Sequence, residues 1–266
     1  MRQLRDLHEA RGRRAQGRLL LEGTHLLQEA LRLGLRPELV LATPLWLERH
    51  ADLLQGLPAG VRLQPASAEV LDAAASTRHP DGVLATLPLP DAELAPAGAL
   101  VGAAGPGDFV LALDRLQDPG NLGTLLRTAL AAGVTRVWLA EGADPFQPKV
   151  LRASSGAALA LPLERLEAAE LRRRLQGLGG AMQLVATVVR GGQPFWELDW
   201  RRPTVLLLGN EGAGLADDLA ALAQHRVTIP HSPAVESLNV AVAAAPLLLE
   251  RWRQQLAPPS AERRSP

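Results

Sequence analysis

The chain of 266 residues contains no cysteine, and its six histidines are scattered along the sequence. The lack of cysteine excludes disulfide bonds, thiolate metal sites and cysteine nucleophiles. No histidines have the spacing of a zinc-binding helix motif, so we expect no metal site. No apolar run is long enough to cross a bilayer, and the charged N-terminus lacks the apolar centre of a secretory signal. We therefore expect a cytoplasmic protein that does not associate with membranes.

Charge is balanced over the whole chain, with 28 lysines and arginines against 28 aspartates and glutamates, so net charge does not indicate a nucleic-acid partner. The basic residues are still informative, because Lys149 is the single lysine and every other basic residue is arginine. Arginine binds phosphate bidentately and stacks on bases. Arginines outnumber acidic residues near the N-terminus, and the candidate phosphate contacts there are Arg11, Arg13 and Arg14.

A dense run of proline and glycine at 91–107 predicts a linker between two domains. Before it, residues 1–90 alternate short strands and helices, which indicates a small α/β domain. After it come a larger domain at 108–256 and a tail at 257–266 that we expect to be disordered. In the small domain, strands are expected at 18–22, 38–42, 61–63 and 82–86, and a helix is expected from Thr24 to the stop at Gly34.

The larger domain contains five apolar runs suited to strands, with helical segments between them. Such strands, apolar throughout and separated by helices, are typical of a parallel sheet buried on both faces. They are expected at 109–113, 136–140, 184–188, 204–208 and 226–229. The predicted fold class is therefore α/β in both domains.

The first of three motif segments is DPGNLGTLLRTA at 118–129, where a strand runs into a polar turn and a helix. Polar turn residues can satisfy the free N–H groups of a helix, and that helix end attracts phosphate or a developing oxyanion. Asn121 and Arg127 are close to two helical turns apart, so both can lie on roughly one side of the helix. From these residues alone, a capped helix with Arg127 in a salt bridge explains the pattern equally well.

The second segment, LLLGNEGAGL at 206–215, is an apolar strand that ends in a glycine-rich turn. Its glycines would let a ligand approach the backbone closely, although an ordinary strand-to-helix turn also explains them. No G-x-G-x-x-G opens a helix after a first strand, which argues against dinucleotide binding. The third segment combines Ile-Pro-His at 229–231 with ESLNVAVA at 236–243, in which Ser237 is expected to cap the last helix.

Together these segments resemble the three signature motifs of the SpoU (TrmH) family of RNA ribose 2'-O-methyltransferases, within the SPOUT superfamily. The segment QPKVLRASSGA at 147–157 resembles the family stretch between the first two motifs. Residues 19–31 and 76–85 resemble parts of a substrate-binding domain that is similar to ribosomal protein L30e. The resemblance implies a C-terminal trefoil-knotted parallel-sheet domain (the α/β knot) plus a smaller N-terminal L30e-like α/β domain.

The resemblance also implies a reaction, the transfer of a methyl group from S-adenosyl-L-methionine to a ribose 2'-hydroxyl of RNA, with no metal. The added N-terminal domain favours ribosomal RNA of the 23S type over transfer RNA. In this family the catalytic domain dimerises, and each active site gathers residues from both subunits. We therefore expect an RNA partner and a homodimer formed through the C-terminal domain.

Residue roles follow from the family motifs position by position. The implied catalytic residues are Asn121, Arg127, Glu211, Ser237 and Asn239. The implied donor-binding residues are Gly209, Ile229 and Leu238. Lys149 and Arg152 are candidate RNA contacts, although a solvated helix face explains them equally well. They add to Arg11, Arg13 and Arg14 of the N-terminal run.

The family arginine, here Arg127, is proposed to activate the 2'-hydroxyl. A guanidinium keeps its proton far above neutral pH, so it is a reluctant base. Arg127 is better suited to holding the adjacent phosphate and stabilising negative charge on the 2'-oxygen. Both roles predict a nearly inactive alanine variant, and they differ in how the rate depends on pH.

The chain departs from the family pattern in its third motif, which usually reads Ile-Pro-Met-x-Gly. Here His231 takes the Met position and Pro233 the Gly position, and proline has a fixed φ and no N–H. Pro246 is also expected to kink the last helix. The alternatives left open are a transfer RNA substrate, an RNA-binding protein that has lost catalysis, and an unrelated nucleotide-dependent enzyme with a doubly wound sheet.

Overall fold

The computed structural model of the protein describes residues 2–90 and 107–256. These residues form two compact units. The first contains 2–90, 122–127 and 144–160, and the second contains 107–121, 128–143 and 161–256. The predicted linker at 91–107, apart from Gly107, and the predicted tail at 257–266 lie outside the described residues.

Residues 2–90 contain the four predicted strands in one sheet. The elements are α1 (Arg2–Asp6), α2 (Ala10–Gln16), β1 (Arg18–Glu22), α3 (Thr24–Arg32), β2 (Leu39–Ala42), α4 (Pro44–Arg49), α5 (Ala51–Gln55), β3 (Arg62–Pro65), α6 (Ala68–Ala74) and β4 (Val83–Pro88). The strand order is β1-β4-β2-β3, with β4 antiparallel to both neighbours and β2 parallel to β3. As predicted, Gly34 follows the end of α3, in a left-handed conformation at φ 73°.

Residues 107–256 contain a seven-stranded sheet whose strands are all parallel. The elements are β5 (Phe109–Asp114), α7 (Pro119–Ala131), β6 (Arg136–Ala140), α8 (Pro148–Ala153), α9 (Ala157–Ala160), β7 (Leu163–Leu166), α10 (Ala168–Gly177), β8 (Gln183–Thr187), β9 (Gln193–Pro194), a 3-10 turn (Phe195–Glu197), β10 (Thr204–Leu208), α11 (Asp217–Ala220), β11 (His225–Thr228) and α12 (Val240–Leu256). The strand order is β7-β6-β5-β10-β8-β11-β9. The predicted parallel sheet and its five strands are confirmed, and the short strands β7 and β9 were not predicted.

The central strands β5 and β10 are buried along their whole length, as expected for apolar strands covered on both faces. On one face, Val110 and Val205 pack in a cluster with Leu171 of α10. The first unit has its own smaller core, in which Leu20 of β1 packs with Leu71 of α6. Burying such side chains contributes about 25 cal/mol per Å² of apolar surface, which makes these clusters the main stabilising feature of each unit.

The last helix, α12, runs through Pro246 without interruption. Proline cannot donate to the carbonyl four residues earlier, which belongs to Val242. Val242 is 61% exposed, so the turn that lacks this bond lies at the surface of the domain. The helix continues past Pro246, and the predicted kink there stays a prediction. No helix within the described ranges is both long and apolar enough to span a membrane.

A buried carboxylate ties the sheet edge of the second unit to α10. Glu164 of β7, whose side chain is 7% exposed, accepts from Arg136 of β6 at 2.8 Å and from Arg174 of α10. Burial alone would raise the pKa of Glu164, but hydrogen bonds and charge from Arg174 and Arg136 hold it below its ordinary value. The carboxylate is thus charged in the folded state and paired with two guanidinium groups.

We expect Glu164→Gln to lower the free energy of unfolding by about 2–3 kcal/mol near pH 7, because it leaves two partly buried arginines without their shared carboxylate. The folded pKa of Glu164 is lowered, so its contribution is complete above the unfolded value of about 4.3 and is lost as pH falls through the folded value. Urea unfolding of the wild type and of Glu164→Gln should therefore give a gap between their free energies of unfolding that narrows below about pH 4.5. Glu167→Gln, at an exposed position in the same segment, is the control, and a gap that stayed constant with pH would contradict the assignment.

Candidate active site

The loop that follows β5 begins with a strained residue. Arg115 has a left-handed backbone at φ 55°, which non-glycine residues rarely adopt. Its guanidinium donates to the buried carboxylate of Asp114 at 2.9 Å, and its carbonyl accepts from the side chain of Asn210 at 2.9 Å. The Asp114 carboxylate also accepts from the backbone N–H of Ala216 at 3.1 Å. These contacts fix the loop of the first motif against the loop of the second.

The helix α7 starts as the sequence predicted. The side chain of Asp118 accepts from the backbone N–H of Asn121 at 2.7 Å, and Pro119 occupies the first turn. Proline has no N–H to satisfy there, and the Asp cap satisfies a donor that the helix cannot. The side chain of Asn121 is thereby placed at the helix start, where the free N–H groups lie.

Glu211 of the second motif joins this helix start directly. Its carboxylate accepts from the backbone N–H groups of Gln117 at 3.1 Å and Asp118 at 3.0 Å, and from the side-chain amide of Asn121 at 3.2 Å. Desolvation alone would raise the pKa of Glu211, but these donors, with its own N–H, hold the pKa below its ordinary value. Glu211 is therefore ionised at neutral pH and is a weak proton acceptor.

Asn239 of the third motif also binds Asn121 at the start of α7. Its amide N–H donates to the side-chain oxygen of Asn121 at 2.8 Å. Its own oxygen accepts from the backbone N–H groups of Ala241 at 3.0 Å and Val242 at 3.3 Å, so Asn239 caps α12. The prediction that Ser237 caps this helix is wrong, because the helix begins at Val240 and the Asn239 side chain already reaches the free donors.

A cavity of about 630 Å³ lies at the carboxyl ends of β8, β10 and β11. Thr187, Leu208 and Thr228, at those strand ends, form part of its wall. The predicted donor-binding residues and two of the predicted catalytic residues also line it, namely Gly209, Ile229, Leu238, Glu211 and Ser237. Apolar walls with a few convergent polar groups suit a ligand that has both a flat apolar ring and charged ends.

The glycine at position 209 is required by the protein itself. A Cβ there would lie 2.0 Å from the backbone nitrogen of Leu215, because the turn folds back and Asn210 exchanges hydrogen bonds with Gly214. The space that a side chain would occupy is therefore filled by the loop, so the expectation that a ligand can approach closely rests here on the backbone of Gly209, which lines the cavity. Gly212 has only the Asn210 side chain near, at 3.6 Å, so it fits that expectation better.

Arg127, on α7, belongs to the first unit, where its guanidinium donates to the hydroxyl of Ser155 at 2.9 Å. Ser155 has a left-handed backbone at φ 49°, a second strained residue in a predicted motif region. Gly123 of the first motif lets α7 approach α8 closely, since a Cβ there would lie 2.5 Å from the Cβ of Ala153. The motif glycine is thus explained by helix packing within the first unit.

The candidate RNA contacts differ in how far their side chains are exposed to solvent. Arg13 is 2% exposed and donates to the carbonyls of Leu7 and His8 and to Asp144 at 2.7 Å, so its prediction as an RNA contact is corrected to a structural role. Arg152 is partly exposed and binds the buried carboxylate of Glu22 at 2.6 Å. The candidates with exposed side chains are Arg11, Arg14 and Lys149.

Three further residues with ionisable side chains line the cavity outside the predicted site residues: Arg190, His231 and Glu236. Arg190 belongs to no motif, and His231 is a departure from the third motif. Its ring Nδ1 is hydrogen-bonded to the carbonyl of Ile229 at 2.7 Å. Among the described residues, no group of three or more histidines, aspartates or glutamates is placed to hold a metal ion.

Two family models match the two parts of the chain. The family model described as the SpoU rRNA Methylase family matches residues 108–249, and the MRM3-like substrate binding domain matches 1–85. An uncharacterized tRNA/rRNA methyltransferase of Synechocystis sp. is 46% identical over 97% of this chain and 92% of the relative. The 23S rRNA (guanosine(2553)-2'-O)-methyltransferase RlmP of Bacillus subtilis is 32% identical over 92% of each.

Among solved structures, the SpoU methyltransferase AviRb of Streptomyces viridochromogenes in complex with the cofactor AdoMet has a TM-score of 0.82 and 26% identity, over 96% of this chain and 97% of that one. This match confirms the predicted fold class, an α/β-knot parallel-sheet domain with a smaller N-terminal α/β domain. Since the family model covers more than half of the 266 residues, the chain belongs to the SpoU rRNA Methylase family.

Proposed function

We propose that the protein is an RNA methyltransferase that uses S-adenosyl-L-methionine to methylate a ribose 2'-hydroxyl, with 23S-type ribosomal RNA as its substrate. The observation that carries this proposal is the hydrogen-bonded cluster of Asn121, Glu211 and Asn239 beside the cavity at the sheet edge. One residue comes from each motif, and Glu211 belongs both to the cluster and to the cavity wall. The names of RlmP and of the AdoMet-bound AviRb support the substrate and the donor.

The cavity fits the proposed donor. Its walls include the apolar side chains of Leu208, Leu238 and Leu247, which suit an adenine ring, and polar groups lie among them. When bound, S-adenosyl-L-methionine supplies a methyl group on a positively charged sulfonium. We propose that Gly209, Ile229 and Leu238 hold its adenosine part.

Within the catalytic cluster, the proposed role of Glu211 is to position other groups. It is held by backbone N–H donors and has a lowered pKa, which makes it a poor base for the ribose hydroxyl. Its hydrogen bond orients the Asn121 amide, whose oxygen in turn orients Asn239. We propose that these two amides and the hydroxyl of Ser237 position the target ribose, and that the hydroxyl proton passes to water.

Arg127 is proposed to hold the phosphate next to the target ribose and to stabilise negative charge on the 2'-oxygen. A guanidinium can supply positive charge at this point without taking part in a proton transfer. Its hydrogen bond to Ser155 presets the side chain, since a partner fixes a rotamer that would otherwise be mobile.

The domain boundaries are proposed as 1–90 for RNA binding, 91–107 for a linker, 108–256 for methyl transfer and 257–266 for a tail. The two family models, which match 1–85 and 108–249, support the two domains. In the first domain, the exposed Arg11 and Arg14 are proposed to contact RNA phosphates. A cytoplasmic location is also proposed, and the bacterial relatives of Synechocystis and Bacillus subtilis support it.

We also propose a homodimer that forms through α12. Four exposed apolar side chains lie within one stripe of this helix, at spacings of three, four and seven residues. They are Val242, Leu249, Trp252 and Leu256. An exposed apolar stripe on a helix at the end of a domain favours a second protein surface as its partner.

Arg127→Ala should reduce methyl transfer by about 10²–10³-fold or more, because it removes charge stabilisation at the reacting oxygen. The assay is transfer of labelled methyl from S-adenosyl-L-methionine to total RNA from a strain that lacks the gene. The product is mapped by resistance to alkaline cleavage, since a 2'-O-methyl group blocks attack by that oxygen. Arg202→Ala, at an exposed arginine of the second unit, is the control.

One protected site in the large ribosomal RNA, lost in Arg127→Ala, would support the whole proposal. A protected site in transfer RNA would overturn the substrate assignment alone. No transfer to any RNA, together with no donor binding, would overturn the enzyme assignment and leave an RNA-binding protein.

Asn239 can be tested for its two roles separately. Asn239→Asp keeps an oxygen that caps α12 but removes the amide N–H that binds Asn121, so stability should change by less than about 0.5 kcal/mol while methyl transfer falls at least about tenfold. Asn239→Ala should lose methyl transfer and also about 1 kcal/mol of stability. Thermal unfolding and the methyl-transfer assay measure the two effects. An active Asn239→Asp enzyme would contradict the proposed contact with Asn121.

The dimer proposal predicts that Leu249→Arg gives a monomer, because it places a charge in the middle of the apolar stripe. Gln255→Arg introduces the same side chain at an exposed position on another side of α12 and should leave the dimer intact. Size-exclusion chromatography with light scattering distinguishes the two masses. A monomeric wild type, or a dimer that persists in Leu249→Arg, would contradict the assignment of this surface.

A further inference from the structure

The first residues of the loop between β8 and β9 are held against the neighbouring strand β11 by two hydrogen bonds. The backbone N–H of Val188 donates to the carbonyl of Val227 at 2.9 Å. The hydroxyl of Thr228 donates to the carbonyl of Val189 at 2.9 Å. These two bonds hold the residues just before Arg190 against the end of β11, where the cavity wall begins.

Two glycines determine the path of the same loop after Arg190. Gly191 has a left-handed backbone at φ 76°, and Gly192 passes so close to β11 that a Cβ there would lie 2.8 Å from the carbonyl carbon of Val227. The chain then enters β9, which pairs with β11. Arg190 therefore lies in a short loop whose backbone is held in place both before and after this residue.

Arg190 has a distinct position among the charged groups of the cavity. It is the sole lysine or arginine among the described residues that line it. Its guanidinium makes no hydrogen bond or ion pair with any residue in 2–90 or 107–256. The carboxylate of Glu211, by contrast, is held by the N–H donors of Gln117 and Asp118. An exposed cation on the cavity wall thus has no bound anion among the described residues, although the carboxylate of Glu236 also lines the cavity.

We propose that Arg190 binds the α-carboxylate of the methyl donor, an inference that rests on the proposed function. S-adenosyl-L-methionine carries one anionic group, this carboxylate, beside a cationic sulfonium, a cationic ammonium and a neutral adenosine. A guanidinium pairs with a carboxylate through two parallel hydrogen bonds. An RNA phosphate is the less fitting anion, because Arg190 lines the cavity together with all three proposed donor-binding residues, Gly209, Ile229 and Leu238. Of the three residues proposed to position the ribose, only Ser237 lines it.

The test compares two ligands that share adenosine and a thioether. S-adenosylhomocysteine has the amino acid group with its carboxylate, and 5'-methylthioadenosine lacks it. Isothermal titration should give a dissociation constant for S-adenosylhomocysteine that rises about 10- to 100-fold in Arg190→Ala, the cost of one charge-assisted contact. The constant for 5'-methylthioadenosine should change by less than about twofold. Arg190→Lys should recover part of the loss, since it keeps the charge but not the two-pronged geometry.

Arg226→Ala is the matched control, because Arg226 is an exposed arginine on β11 that does not line the cavity. It should leave both dissociation constants unchanged. Equal weakening of both ligands in Arg190→Ala would overturn the proposal in favour of a role in loop structure. Unchanged binding of both ligands with weaker RNA binding would overturn it in favour of a phosphate contact. A wild-type protein that binds neither ligand would instead remove the proposed donor site itself.

Discussion

The site depends on one carboxylate and the donors that surround it. Glu211 lies in a turn between β10 and α11, and it would be costly to desolvate without partners. Two backbone N–H groups and the amide of Asn121 satisfy it, and these donors lower its pKa despite partial burial. The same bonds hold the loop before α7 in place. Removing the carboxylate would therefore leave several donors free and would release the first motif from the second.

The sheet order explains why residues far apart in sequence meet here. β10 pairs in parallel with β5, so the loop that follows each strand emerges at the same edge. This places Glu211 beside Asp118 although 93 positions separate them. Asn239 completes the cluster from the start of α12, where it must also cap the helix. The asparagine side chain has both a donor and an acceptor, so Asn239 can bind Asn121 and cap the helix at the same time.

Much of this arrangement could be predicted from the sequence, because apolar runs and glycine-rich turns report strands and their ends directly. The strand β7 was missed since Glu164 and Arg165 interrupt its apolar pattern, although Glu164 is buried with its arginines. The prediction that Arg13 contacts RNA is wrong because a basic run is typical of a solvated surface, whereas its three protein acceptors are brought together only by the tertiary structure. Arg190 carries no motif at all, so its place on the cavity wall follows from the pairing of β9 with β11.

The departures in the third motif can be understood in the same physical terms. Ser232 to Val235 form a tight turn, in which the N–H of Val235 donates to the carbonyl of Ser232 at 3.3 Å. Pro233 occupies the second position of that turn, where its fixed φ is favourable and its missing N–H has no partner to lose. His231 just before it is held by the carbonyl of Ile229. The unusual residues therefore stabilise a turn of their own beside the cavity, and Ile229 and Leu238, on either side of this segment, still line the cavity.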